Sequence, residues 1–346
     1  MPQTVQFDPA SMSTHLFVDV RTPLEYSEDH IPGAINVPLL TNEERVEIGT
    51  IYKQVGPRMA RRRGLELTAS RLPVMVAEID RAAAGRPIIV YCWRGGLRSK
   101  TVAAVLDLTG FPVQQLVGGY KAFRNIVSAT FENFVPPGPL IVLHGLTGIG
   151  KTTFLAHLQE YGATTIDLEG LACHRGSAFG SLGLSQELSQ KHFETLLWDA
   201  FRGCPAGRPI FLEGESRRIG RLFLPGNLYE VMRESIKVWS EASRETRVQR
   251  LLEEYGRTEY RELMADALLR IRKKLGGEQY NELAGYLERW ELERLTEGLM
   301  THYYDRLYYR ERPWVEDLRL SLEDFGAARQ ELLSFLEQKG LTTTAA

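Results

Sequence analysis

The sequence predicts an α/β protein made of two successive parallel-sheet domains, the second extended by a helix-rich C-terminal part. Short apolar runs alternate with stretches of helical periodicity from Leu16 onward, the pattern of strands interleaved with helices. Twice such a run ends on a glycine-containing loop that leads straight into a helix, once around Cys92 and once around Lys151. Between the two lies Val135-Pro136-Pro137-Gly138-Pro139, whose composition makes a stiff linker. The boundaries expected from these features are residues 1–134 for the first domain, 135–139 for the linker and 140–346 for the second, with the helical region starting near Ser240.

Composition sets limits on function. With 346 residues, 43% hydrophobic and 25% charged, the chain can bury two ordinary globular cores. A formal net charge of −2 removes whole-chain basicity as a reason to bind nucleic acid, so any such surface must be a local patch. Three cysteines, Cys92, Cys173 and Cys204, supply neither a disulfide framework nor a metal-ligand spacing, and a reducing cytoplasm suits them. Residues 1–10 show no basic segment followed by an apolar one, and no run of eighteen apolar residues occurs, so neither export nor membrane insertion is expected.

The first strand is Leu16-Phe17-Val18-Asp19-Val20. Thr22 then caps a short helix with Pro23 at its first position. His30-Ile31-Pro32-Gly33-Ala34-Ile35-Asn36-Val37-Pro38 gives a turn and a second short strand. Thr41-Asn42-Glu43-Glu44 has the spacing of a capping box, and Val46, Ile48, Ile51 and Tyr52 form the apolar stripe of the helix it opens. Arg58, Arg61, Arg62 and Arg63 make the densest positive run; it is either a solvated helix face or a phosphate-backbone contact.

Ile88-Ile89-Val90-Tyr91 is a buried strand that runs into Cys92-Trp93-Arg94-Gly95-Gly96-Leu97-Arg98. Helical spacing resumes at Leu97, so the loop's N–H groups belong to a helix N-terminus and favour an anion. Two arginines and two glycines suit a nucleophilic thiolate more than an inert core thiol. The first domain closes on Leu116-Val117-Gly118-Gly119-Tyr120-Lys121-Ala122-Phe123.

In the second domain Leu140-Ile141-Val142-Leu143-His144 is a strand, and residues 145–152 satisfy G-x-x-x-x-G-K-[ST] before a helical stripe of Phe154, Leu155 and Leu158. This is a Walker A loop in its proper strand–loop–helix context. Gly145, Thr147, Gly148, Gly150, Lys151, Thr152 and Thr153 are its diphosphate-binding residues, and the Thr152 hydroxyl suits Mg2+. Past the next strand, Asp167, Glu169, His174, Arg175 and Ser177 crowd where open α/β sheets bind ligands. Ile210-Phe211-Leu212-Glu213 is similar to a Walker B strand with Glu213 in place of the usual Asp, followed by Glu215 and Arg217; together these make a candidate substrate pocket. Farther on, Arg244, Arg247, Arg250, Arg270, Arg272, Lys273 and Lys274 read mostly as solvated helix faces.

Asp19-Val20-Arg21, the His30 to Ala34 segment, the Cys92 loop and Gly118-Gly119-Tyr120 together resemble a rhodanese domain. That resemblance implies sulfur or selenium carried on the loop cysteine. The five-residue gap from Cys92 to Arg98 is instead the spacing of similar cysteine phosphatases, although Tyr91 stands where those enzymes usually have histidine. A rhodanese-like domain followed by a P-loop domain resembles the tRNA 2-selenouridine synthase family. The resemblance includes Tyr52-Lys53-Gln54, Asp167-Leu168-Glu169-Gly170, His174-Arg175-Gly176-Ser177, Glu215-Ser216-Arg217 and Tyr303-Tyr304-Asp305. It implies exchange of sulfur for selenium at C2 of wobble 2-thiouridine in tRNA, with selenophosphate as donor and an S-geranylated intermediate made from geranyl diphosphate. It also implies no tightly bound cofactor, a cytoplasmic location and a selenophosphate synthetase as a partner. From the residues alone, an ATP-dependent sulfurtransferase or kinase and a non-catalytic tRNA-binding protein stay open.

Overall fold

A computed structural model describes residues 2–177, 179–180, 182, 188–310 and 314–341. The chain forms two compact units. One takes in Met1–Thr130 with the short piece Glu194–Leu196, and the other takes in Phe131–Phe193 and Leu197–Ala346.

The first unit is built on five strands, β1 (Gln3–Val5), β2 (Leu16–Asp19), β3 (Ile35–Asn36), β4 (Ile88–Tyr91) and β5 (Val113–Leu116), in the order β1-β5-β4-β2-β3. Every pairing is parallel. Helices α1 (Pro23–Glu28), α2 (Asn42–Gln54), α3 (Pro57–Thr68), α4 (Leu72–Ala83), α5 (Leu97–Leu108) and α6 (Gly119–Glu132) complete it. All residues of β2 and β4 are buried, as a parallel sheet covered by helices requires. Val18, Ile79, Val90 and Leu106, each fully buried, form the centre of one core. Thr22 caps α1 as expected, and the structure adds a reciprocal bond from Glu25, while the expected capping box of Thr41 with Glu44 is made on α2. The register places Asp19 opposite Tyr91, so the loops after β2 and β4 leave the same, C-terminal end of the sheet.

The second unit has strands β6 (Leu140–Gly145), β7 (Thr164–Ile166), β8 (Ile210–Glu213), a small antiparallel pair β9 (Arg218–Ile219) and β10 (Leu222–Phe223), then β11 (Ile236–Glu241) and β12 (Leu318–Ser321). Its main sheet is also parallel, in the order β12-β11-β6-β8-β7. Helices α7 (Lys151–Glu160), α8 (Leu168–Leu171), α9 (Gln190–Arg202) and α10 (Gly226–Glu234) come before β11.

Between β11 and β12 the chain inserts α11 (Arg244–Tyr255), α12 (Arg261–Leu275), α13 (Gly277–Glu288), α14 (Leu292–Leu299), a π-helical turn (Met300–Tyr304) and α15 (Asp305–Arg310). Met264, Leu268, Leu283, Leu287, Leu295 and Leu299 give this insert an apolar cluster of its own. The last helix, α16 (Phe325–Gln338), returns Leu332 and Leu336 to the sheet core. The α/β class and the parallel sheets expected from the sequence are thus present. Among the described residues no helix is long and apolar enough to cross a membrane.

Candidate functional site

Cys92 stands one residue past the C-terminal end of β4, 3% exposed. The Gly96 N–H donates to its Sγ at 3.3 Å, and the Ser99 hydroxyl lies 3.2 Å from Sγ. Gln115 on β5 fastens the loop by donating to the carbonyls of Gly95 (2.7 Å) and Gly96 (3.2 Å) and to Ser99 Oγ (3.0 Å). The start of α6 closes the other side, where the N–H groups of Tyr120 and Lys121 donate to the carbonyls of Cys92 and Trp93, both at 2.9 Å. Close approach is the reason for the glycines here. Gly119 has φ +56°, and a Cβ on it would sit 2.5 Å from Gly95 N and against the Cys92 carbonyl.

A buried polar group underlies this arrangement. Arg21 and Asp19, 1% and 0% exposed, pair at 2.6 Å, and Arg21 also donates to the Asp29 carbonyl at 2.6 Å. The Arg21 guanidinium lies 3.9 Å from the centre of the Tyr120 ring, whose hydroxyl donates to Asp29 at 2.7 Å. Trp93 leans on the same ring at 5.2 Å. Asp19, Arg21 and the segment after α1 therefore support the cysteine loop through Tyr120.

The two loop arginines part company. Arg98 forks onto Glu25 at 2.6 and 3.2 Å; burial pushes the Glu25 carboxyl up, but the Arg98 guanidinium prevails and holds it below the ordinary value. The guanidinium that the phosphatase-like spacing would offer to a phosphate is thus committed to α1. Arg94 is exposed and makes no ion pair among the described residues. Leu97 is 57% exposed at the first position of α5. In the arginine run, Arg63 pairs with Glu47 (2.6 Å) and Glu66 (3.5 Å) and Arg62 with Glu66 (3.3 Å), while Arg58 and Arg61 are exposed on α3 with no acid partner among the described residues. Tyr52, at the end of α2, is 60% exposed.

In the second unit the Walker A loop spans the gap from β6 to α7, with Gly150 at φ +88° opening the helix. Lys151 Nζ donates to the Gly145 carbonyl at 3.3 Å. The Thr152 hydroxyl lies 3.4 Å from Glu169 and 3.5 Å from Glu213. Residues 147–153, Asp167, Glu169, His174, Arg175 and Ser177 line one cavity of about 400 Å3. Most of the expected substrate pocket is therefore brought to the phosphate loop. Glu213 meets it only through Thr152, Glu215 lines the neighbouring cavity, and Arg217 is exposed, with its guanidinium toward Gly226.

The acids here crowd one another. Glu213 is fully buried and accepts the Leu168 N–H at 2.8 Å; burial, then the Asp167 charge, push it well above the ordinary carboxyl value. Burial and neighbouring Glu215 raise Glu169 to about 8 despite the opposing Lys151, and burial raises Glu215 as well. Burial and mutual repulsion thus favour the protonated forms of Glu169, Glu213 and Glu215. Burial lowers His174 and keeps it neutral, and its Nδ1 is buried without a hydrogen bond among the described residues. Arg175 is held by Glu254 at 2.6 Å and by the Leu182 carbonyl at 2.8 Å.

Two arginines on α11 bear on the loop in a way their polar helix did not foretell. Arg247, 5% exposed, donates to the Thr147 carbonyl at 2.9 Å and forks onto Asp305 at 2.6 and 3.0 Å. Arg250 donates to the carbonyls of Ile149 and Leu322. The solvated-face reading is corrected for both: the loop needs carbonyl partners, and the helical insert supplies them. Nothing in the sequence beyond the Tyr303-Tyr304-Asp305 string pointed to this pairing.

Comparison with known proteins assigns each site to a domain. The family model described as the tRNA 2-selenouridine synthase AAA domain matches residues 138–339, and that of the rhodanese-like domain matches residues 8–126. The chain belongs to the tRNA 2-selenouridine synthase family. A member from Pseudomonas syringae pv. syringae (strain B728a) is 33% identical over 352 residues, covering 93% of this chain and 94% of its own. The tRNA 2-selenouridine synthases of Cupriavidus necator and Cupriavidus pinatubonensis are 34% and 35% identical, and cover 98% and 93% of this chain and 100% and 94% of their own. In family terms, the Cys92 loop belongs to a rhodanese-like domain and Lys151 to a P-loop-like AAA domain.

Proposed function

We propose that this protein, an enzyme of tRNA selenium modification by its family, replaces sulfur by selenium at C2 of wobble 2-thiouridine in tRNA. Geranyl diphosphate and selenophosphate are the co-substrates, the latter supplied by a selenophosphate synthetase in the cytoplasm. The observation that carries the reading is the pairing, in one chain of this family, of a buried thiol in an N–H-lined loop with a Walker A loop.

A thiocarbonyl sulfur leaves poorly. In the first step that sulfur bonds to C1 of the geranyl group as the C–O bond to diphosphate breaks, the base gives up its N3 proton to solvent, and diphosphate departs onto the loop N–H groups and Lys151. In the second step the selenium of selenophosphate, handled at Cys92, bonds to C2 while the C2–S bond breaks. Geranylthiol leaves with a proton, and water takes the phosphoryl group from selenium. No redox change is needed.

Mg2+ fits beside the P-loop. Among the described residues no three His, Cys, Asp or Glu side chains form a metal site. The Thr152 hydroxyl, close to both Glu169 and Glu213, would hold it together with one of those carboxylates and the substrate phosphates, the usual way with Mg2+. The cation would offset the diphosphate charge and relieve the repulsion among the acids.

The test is mass spectrometry of tRNA nucleosides after reaction with two variants. Cys92→Ser is expected to form geranylated but not selenated tRNA. Lys151→Ala is expected to form neither, and pre-geranylated tRNA should restore selenation to it but not to Cys92→Ser. Loss of both steps in both variants, with folding and tRNA affinity intact, would end this division of labour.

A further inference from the structure

The second unit holds a cavity that the phosphate site does not account for. It encloses about 710 Å3, a size typical of small-molecule sites. Thr147, Gly176 and Ser177 line both it and the cavity over the phosphate loop. Its wall combines the rings of Trp239, Trp314 and Tyr303 with His144, Lys237 and Lys274. Trp314 lies 6.1 Å from Trp239 at 64° and 4.3 Å from the His144 ring. The Lys274 ammonium is 5.8 Å from the centre of the Tyr303 ring, and Lys237 donates to the Ser235 carbonyl at 3.1 Å. Glu215 is the acid on this wall.

Aromatic faces interleaved with ammonium groups suit one class of ligand in particular. Every nucleobase has a π-face that stacks on such rings, and the phosphates on either side of it are met by lysine. Chemistry at a base also requires the base to leave its stack and enter a pocket. We infer that this cavity receives one RNA nucleotide turned out of its strand, with the base against Trp314 and Tyr303 and the flanking phosphates toward Lys237 and Lys274. The shared wall at Thr147 and Ser177 sets that base next to a diphosphate in the P-loop, where an alkyl group can be transferred to it. The inference rests on tRNA being the substrate, and adds where in the chain the reacting nucleotide is held.

The test uses the full chain and two fluorescent anticodon stem-loops, one carrying 2-thiouridine at the wobble position and one abasic there. Wild type is expected to bind the first at least about tenfold more tightly, the scale of one base stacked on an aromatic ring. Trp314→Ala should abolish that preference while inorganic pyrophosphate still binds, and Trp314→Phe should retain most of it. Lys274→Ala, on an exposed position, should weaken both RNAs equally and lower the salt dependence. If wild type prefers the base-bearing RNA but Trp314→Ala and Lys274→Ala bind both RNAs as wild type does, the nucleotide is held elsewhere and the inference falls while the tRNA reading stands. If wild type binds neither RNA, the tRNA reading falls and takes the inference with it.

Discussion

Arg247 offers the sharpest test of how the helical insert serves the phosphate loop. Its side chain is 6% exposed and its partner Asp305 24%. Arg247→Ala removes two charged hydrogen bonds to Asp305 and one to the Thr147 carbonyl. Removing one member of a buried pair costs about 3–5 kcal/mol, and because Asp305 keeps some access to water the lower end applies. A urea slope of about 3 kcal/mol per molar, the top of the range for small proteins and reasonable for a unit this large, turns about 3 kcal/mol into a midpoint lowered by about 1 M.

Tryptophan fluorescence follows the transition, since Trp198, Trp239, Trp290 and Trp314 lie in the second unit and Trp93 alone lies in the first. Pyrophosphate affinity, measured by calorimetry below the transition, should fall about tenfold, which is about 1.4 kcal/mol, because the Thr147 carbonyl loses its anchor. Arg247→Lys should recover part of the stability and little of the affinity, since an ammonium cannot fork across two partners. An unchanged midpoint would refute the energetic argument. A lowered midpoint with unchanged pyrophosphate affinity would show that the pair holds helices together and leaves the loop alone.

The raised Glu169 carboxyl gives a pH dependence of definite sign. It is protonated in the fold up to about 8 but only to about the ordinary 4.5 when unfolded, so stability present below 4.5 is lost as pH rises toward 8; melting temperatures in metal-free buffer should fall across that window, and Glu169→Gln should flatten the fall. Gly119→Ala, at φ +56° against the Cys92 carbonyl, should cost about 2 kcal/mol and disturb Cys92 alkylation, whereas Gly110→Ala, at φ +90° with nothing within 4 Å, should cost less and leave alkylation alone. Replacing Arg58 and Arg61 by glutamine should lower the salt slope of tRNA binding by up to about 2, or about 0.9 per phosphate contact. Arg63→Gln should leave that slope in place, because Glu47 already holds its guanidinium.

Much of this was legible because local physics dominates where it was read. The cap at Thr22 and the capping box at Thr41 close within one turn of chain, and the Walker A spacing carries its strand and helix with it. Strand β1 was missed because three residues with one half-buried side chain have no pattern of their own, and only pairing with β5 makes them a strand. Helix α4 escaped too, although Met75, Ile79 and Ala83 repeat at four. The fate of the arginines was the least legible. Arg98, Arg175 and Arg247 look alike in the sequence, and what separates them is the acid each meets from 73, 79 and 58 residues away. Long-range pairing of that kind leaves no periodicity to read.

The π-helical turn at Met300–Tyr304 bears on how the gene can change length. A π turn holds one residue more than an α turn in the same rise, and each α-helical residue advances the spiral by roughly 100°. Deleting a single codon within this stretch would let the helix relax to α and leave everything after it in nearly its original phase. A second deletion would have no π turn left to absorb it and would turn the helix after it by about that angle, so that Asp305 would turn away from Arg247. The reading frame would survive and the helix would persist, yet the phosphate loop, more than 150 residues upstream, would lose the arginine anchor at Thr147. Loop-bordering sites such as Gly276 and Gly277, with exposed backbone between two helices, can absorb the same loss. Here helix phase, more than residue identity, is what a genetic change has to preserve.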